Sequence, residues 1–98
     1  MGFRLSEVEK KALKVALRDF EGEVYLFGSR LDLKKRGGDI DILLKPRKTQ
    51  NSLALKLAVA GKFMKELEQS LDVVVYKAKN VFCQEVMKYA RPLDLMRL

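Results

Sequence analysis

Asp39 and Asp41 are the residues that bear chemistry most plainly, set one apart in the segment Asp39-Ile40-Asp41-Ile42-Leu43-Leu44. On a strand, positions i and i+2 leave the same face, so the two carboxylates stand side by side while Ile40, Ile42 and Leu44 point to a core. Neighbouring anions repel, and one of them titrates high unless a cation lies between them. A divalent, oxygen-seeking metal removes that conflict, and Mg²⁺ is the ion expected with one or two carboxylates plus phosphate oxygens. The competing reading is an exposed strand with solvated acids. Gly37 and Gly38 before the pair, and the aliphatic run after it, favour a strand entering a packed sheet. Asp72, inside Leu71-Asp72-Val73-Val74-Val75-Tyr76, adds a third acid if its strand lies beside the first. A lone buried carboxylate is costly, so Asp72 either has a partner there or marks the exposed start of its strand.

A second constellation precedes the acids. Gly28-Ser29 closes the segment Glu23-Val24-Tyr25-Leu26-Phe27, where a glycine lets an anion approach the backbone and Ser29 offers a hydroxyl and outward amides. Arg30 adds a guanidinium whose fork matches phosphate oxygens. Lys34, Lys35 and Arg36 follow, equally a solvated loop and a basic frame for a phosphate, their position just before Asp39 favouring the second. The Walker pattern GxxxxGK[ST] is absent, which disfavours a P-loop ATPase.

Composition narrows the chemistry further. The chain has 98 residues, 48% hydrophobic and 34% charged, as expected of one globular domain spanning 1-98. A chain of this size buries roughly two-thirds of its unfolded surface, enough for one core. There is no His, which removes the commonest general base and leaves carboxylates, Lys, Tyr or a metal. Cys83 is the only cysteine, so neither an internal disulfide nor a Cys/His zinc site is available, and it is expected to be a small core residue. No apolar run approaches the roughly 20 residues needed to cross a bilayer, and the first residues form no secretory signal; a cytoplasmic chain with no membrane partner is expected. Twenty Lys and Arg against 13 Asp and Glu give a net charge of +7, a balance that favours anionic partners.

These groups need elements to hold them. Ser6-Glu7-Val8-Glu9 has the form of a capping box, opening a helix over Ser6 to about Asp19 with Val8, Ala12, Leu13, Val15, Ala16 and Phe20 on its apolar face. Glu23–Phe27, Asp39–Leu44 and Leu71–Tyr76 have the composition of strands. A long helix is expected from Ser52 to Gln69, burying Leu53, Leu57, Ala60, Phe63, Met64 and Leu67, and a last one from about Asn80 to Ala90, stopped by Arg91-Pro92. Tyr25, Tyr76 and Tyr89 sit in apolar stretches and are expected to pack. The apolar tail Leu93–Leu98 would suit a partner-facing or self-association surface. The order helix, strand, short helix, strand, helix, strand, helix defines an α/β (α+β) domain with a small mixed sheet of at least three strands flanked by helices.

A strand, then Gly28-Ser29, nine intervening residues, then Asp39-Ile40-Asp41, with Asp72 in a later strand, resembles the polymerase-β-like nucleotidyltransferase superfamily. It is most similar to the minimal nucleotidyltransferase (MNT) group, and the resemblance covers nearly the whole chain. It implies that Gly28 and Ser29 contact the triphosphate of ATP and that Asp39 and Asp41 hold two Mg²⁺ ions. Asp72 would complete the metal site and help deprotonate an acceptor hydroxyl. Arg30 stands where the family often has a basic residue, and Arg36 is a looser phosphate contact. Gly38 departs from the pattern, since Ser is frequent directly before the first acid. Larger superfamily members carry a helical domain that chooses the acceptor, whereas the minimal group works beside a helical HEPN-type partner. There the resemblance implies an antitoxin that adenylylates a tyrosine of a HEPN toxin. Two rivals stay open: a binding module that neutralises its partner by contact, and a basic nucleic-acid-binding domain. The second ranks last, because the sequence has neither an aromatic stacking platform nor helix-turn-helix spacing. A homo-oligomer is compatible with all three.

Overall fold

The computed structural model describes residues 3–34 and 38–98. Ser6 caps the first helix, α1 (Glu7–Ala16), with both bonds of the expected box: the Glu9 amide donates to Ser6 Oγ at 3.2 Å and the Ser6 amide to Glu9 Oε1 at 2.9 Å. Then follow β1 (Gly22–Phe27), a 3-10 turn (Gly28–Leu31), β2 (Ile40–Pro46), α2 (Ser52–Leu67), β3 (Leu71–Val75), α3 (Val81–Met87) and β4 (Arg91–Pro92). Asn51 and Asn80 cap α2 and α3 by accepting from Ala54 and Cys83 amides. α2 ends at Glu68, which takes the left-handed conformation.

The four strands form a mixed sheet in the order β3-β2-β1-β4. β1 runs antiparallel to β2 and to β4, while β2 and β3 are parallel and joined through α2. This arrangement realises the expected small mixed sheet with flanking helices, and β4 is an addition that the sequence reading assigned only as a helix stop.

Period-2 alternation divides β2 between two layers. Ile40, Ile42 and Leu44 are completely buried with Val24, Leu26, Leu71 and Val73 beneath α1 and α2, around Leu13 and Phe63. The other face carries Leu43 and Phe27, closed by Cys83 and Val86 of α3. Cys83 is therefore the core residue that its surroundings suggested. Asp41 lies on this second face, next to the layer under α3.

Four packing expectations are corrected. On α1, Val8 is exposed, whereas Glu9 points inward with Ala12, Leu13 and Ala16. On α2, Leu53, Leu57 and Met64 face outward; Val59 and Phe63 take the buried positions, with Leu55, Ala60 and Leu67 packed partly beside them. Two apolar rows run along this helix, and only one can meet the sheet. The tail is not an open surface: Leu93 is buried, Leu95 and Leu98 pack on the same core, and Met96 alone projects. Of the tyrosines, Tyr25 and Tyr76 border the α3 layer, but Tyr89 is exposed.

Candidate active site

Strand register brings the acids together. Phe27 of β1 lies opposite Asp41 of β2, and Asp41 lies opposite Asp72 of β3. Directly opposed residues share a face, so Asp41 and Asp72 meet across adjacent strands at the end where β1 gives way to the Gly-Ser turn. Asp39 is one alternation earlier on the same chain and is exposed, as is Asp72; Asp41 is half-buried between them. Asp72 thus stands at an exposed strand start and is also partnered, so both readings of it hold.

The electrostatics follow from that spacing. Burial, a hydrogen bond that the protonated Asp41 donates toward Asp72, and the charges of Asp72 and Asp39 push the Asp41 carboxyl up to about 6. A raised Asp41 carboxyl is what repulsion between neighbouring acids produces when no cation lies between them. As the side chains stand, no three acids among the described residues converge enough to hold one ion. The donor set still fits Mg²⁺ by type: hard carboxylate oxygens on two neighbouring strands, and a repulsion that a divalent cation would relieve.

The Gly-Ser turn is built against these acids. Gly28 has φ +81° and faces the Asp41 carboxylate with no room for a β-carbon. Gly38, at φ +88°, is pressed against Ser29: a β-carbon there would stand 2.5 Å from Ser29 Oγ. The positive φ and the contact with Ser29 favour glycine directly before Asp39. No side chain caps the first amides of the 3-10 turn, so the turn faces the acids with its own backbone. Gly28 and Ser29 are both half-buried at this edge.

Arg30 is placed differently from expectation. It is only 6% exposed and its guanidinium forks onto Glu9, Nη1 to Oε1 and Nη2 to Oε2, both at 2.7 Å. Nε donates to the Gly38 carbonyl and Nη1 also to the Arg4 carbonyl, each at 3.0 Å. Its charge is spent on the protein rather than presented to an open site. The guanidinium holds Glu9 at about 2, well below the usual carboxylate range, and Ser6 and Gln69 add hydrogen bonds. Glu9 was missed as a partner because the capping box already explained it; the available signal was an acid spaced four and seven residues from Leu13 and Ala16, on the buried side. Arg36 lies outside the described residues, as does Lys35, while Lys34 is exposed.

Among the described residues, no helix is long and apolar enough to cross a membrane. No family model matches the sequence, and no curated protein matches it. Solved structures do. A toxin–antitoxin structure with AMP-PNP is 27% identical, with a TM-score of 0.65, over 85% of this chain and 70% of that one. The complex of an MNT antitoxin with a tri-AMPylated HEPN toxin from Shewanella oneidensis is 25% identical, with a TM-score of 0.55, over 84% of this chain and 62% of that one. The MntA–HepT toxin–antitoxin structure is 24% identical, with a TM-score of 0.63, over 89% and 70%.

Sheet order, register and these likenesses define a nucleotidyltransferase fold. Within it, the chain is similar to chains of MntA–HepT and MNT–HEPN toxin–antitoxin structures.

Proposed function

We propose that this chain transfers AMP from ATP to a hydroxyl of a HEPN-type protein partner, and that its acids act with Mg²⁺. The observation that supports this reading is the contact of Gly28, in the Gly28-Ser29 turn, with the Asp41 carboxylate, beside which Asp72 stands on the next strand. The likeness to structures described with AMP-PNP, and with an AMPylated HEPN toxin, supports the nucleotide and the partner.

In this reading Gly28 and Ser29 bind the β- and γ-phosphates through backbone amides and the Ser29 hydroxyl. Asp39, Asp41 and Asp72 would hold the metal, which when bound would supply charge neutralisation to the transfer. The acceptor oxygen forms a bond to the α-phosphorus as the bond from that phosphorus to the bridging oxygen breaks, and pyrophosphate departs. The acceptor proton passes to the carboxylate of Asp72, the exposed acid of the paired row. Positioning and charge neutralisation suffice for such a transfer, in keeping with a chain that has no His.

The test is release of pyrophosphate and covalent label from α-labelled ATP in the presence of a HEPN-type partner, with and without Mg²⁺. Asp39→Asn with Asp41→Asn should abolish both signals. If partner neutralisation survives that double substitution intact, contact rather than transfer is the function.

A further inference from the structure

We infer that Arg30 and Glu9 form a clamp that positions the Gly28-Ser29 turn against the strand bearing Asp39 and Asp41; Arg30 is a positioning residue, not a phosphate ligand. This rests on the transferase reading for its kinetic consequence, though not for its structural one.

The clamp joins four pieces of chain that are distant in sequence. Arg30 belongs to the 3-10 turn, Glu9 to the first turn of α1, Gly38 to the entry of β2, and Arg4 to the segment before α1. The two bonds to Glu9 fix the plane of the guanidinium. With that plane fixed, Nε reaches the Gly38 carbonyl at 3.0 Å and ties the residue before Asp39 to the turn. On the outer side, Arg4 closes the same turn: its amide donates to the Arg30 carbonyl at 2.7 Å, Nε to the Asp32 carbonyl at 2.7 Å and Nη2 to the Ser29 carbonyl at 3.1 Å. Gln69, just beyond α2, donates to Glu9 Oε2 at 3.2 Å and holds the carboxylate from behind.

The relation the clamp enforces is the one the chemistry needs. Gly38 touches Ser29, and Gly28 touches Asp41, so phosphate turn and acids have no slack between them. Arg30 joins the turn to the entry of β2 through the Gly38 carbonyl. A Lys at position 30 could keep the charge beside Glu9 but not the planar fork that fixes Nε on Gly38. A displacement of about 1 Å between reacting groups costs roughly 100-fold in rate.

The experiment compares wild type, Glu9→Gln and Arg30→Lys by amide hydrogen exchange and by ATP-dependent transfer kinetics. In Glu9→Gln, the Asp32 amide, bonded to the Ser29 carbonyl, and the Arg4 amide should exchange at least about tenfold faster. The Tyr76 amide on Leu44 and the Leu93 amide on Val24 should keep wild-type protection. In both variants kcat should fall about 10- to 100-fold with KM for ATP within about threefold. The opposite split overturns the inference: a KM raised tenfold or more in Arg30→Lys with Glu9→Gln like wild type makes Arg30 a phosphate ligand. Uniformly faster exchange, or none, in Glu9→Gln overturns it as well. Should neither variant fold, Arg4→Ala opens the outer side alone, and a kcat within twofold of wild type there refutes the clamp. If wild type itself transfers no nucleotide, the transferase reading falls while the exchange measurement still decides the clamp.

Discussion

Gly28 lies so close to the carboxylate of Asp41 that a β-carbon at position 28 would overlap its Oδ2. The turn that would receive phosphate is thus fitted to the side chain that would receive metal. Gly28→Ala meets both this overlap and a φ of +81°, a conformation that costs an L-residue about 1–3 kcal/mol. We expect a chain that still folds, loses about that much stability in urea denaturation, and transfers nucleotide at least about 100-fold more slowly.

Asp41 is held at a cost. Its carboxyl is pushed up to about 6 from 3.8, so in the absence of metal its charged form opposes folding at neutral pH. Asp41→Asn keeps the shape and removes the charge; in EDTA it should melt no lower than wild type, and as much as about 1–3 kcal/mol more stably. Added Mg²⁺ should raise the melting temperature of wild type and leave that of Asp41→Asn nearly unchanged. Calorimetric melting with and without the ion checks both halves.

Glu9 makes the opposite contribution. Its carboxyl is lowered to about 2 from an ordinary 4.5 by Arg30, so its ionised form stabilises the fold, on the order of 3 kcal/mol. Because the folded value is depressed, that stability is complete above about 4.5 and is lost as pH falls toward about 2. The difference in unfolding free energy between wild type and Glu9→Gln should be constant from pH 7 to 5 and shrink below pH 4.5. Urea titrations at stepped pH measure it directly.

The two apolar rows of α2 give a prediction about packing. Phe63 is completely buried, and Phe63→Ala should cost about 3–5 kcal/mol. Leu53, Leu57 and Met64 are 64%, 63% and 53% exposed, so replacing all three by Ser should change the stability of the isolated chain by less than about 1.5 kcal/mol. Comparable losses in the two variants would mean that the outward row is covered.

How much of this was legible in sequence depended on whether a local pattern had one solution. Asp41 did: alternation sets it opposite the core face of β2, and register brings Asp72 beside it, whereas Asp39 lies just before the strand, which begins at Ile40. The turn at Gly28-Ser29 was legible because a glycine directly after a strand-type segment marks where the chain leaves the sheet. Glu9 was not, since its bonds to Ser6 satisfied a local rule and concealed a second, long-range bond to Arg30. Arg30 was misjudged for the same reason: a cation beside a phosphate-type turn suggests an open ligand until its buried partner is known. On α2, the rows through Leu53-Leu57-Met64 and through Leu55-Val59-Phe63 have equal helical spacing, so periodicity could not choose between them. β4 spans only Arg91–Pro92 and has no pattern of its own; it exists because β1 leaves an edge open.

The central claim is that the acid row and the Gly-Ser turn carry out nucleotide transfer rather than mere contact. The most direct measurement is mass spectrometry of a HEPN-type partner after incubation with this chain, ATP and Mg²⁺, alongside Asp39→Asn/Asp41→Asn. Transfer predicts partner mass increments of one or more AMP moieties with wild type and none with the double variant or with EDTA. An unmodified partner that is nonetheless neutralised equally by wild type and double variant would contradict the account.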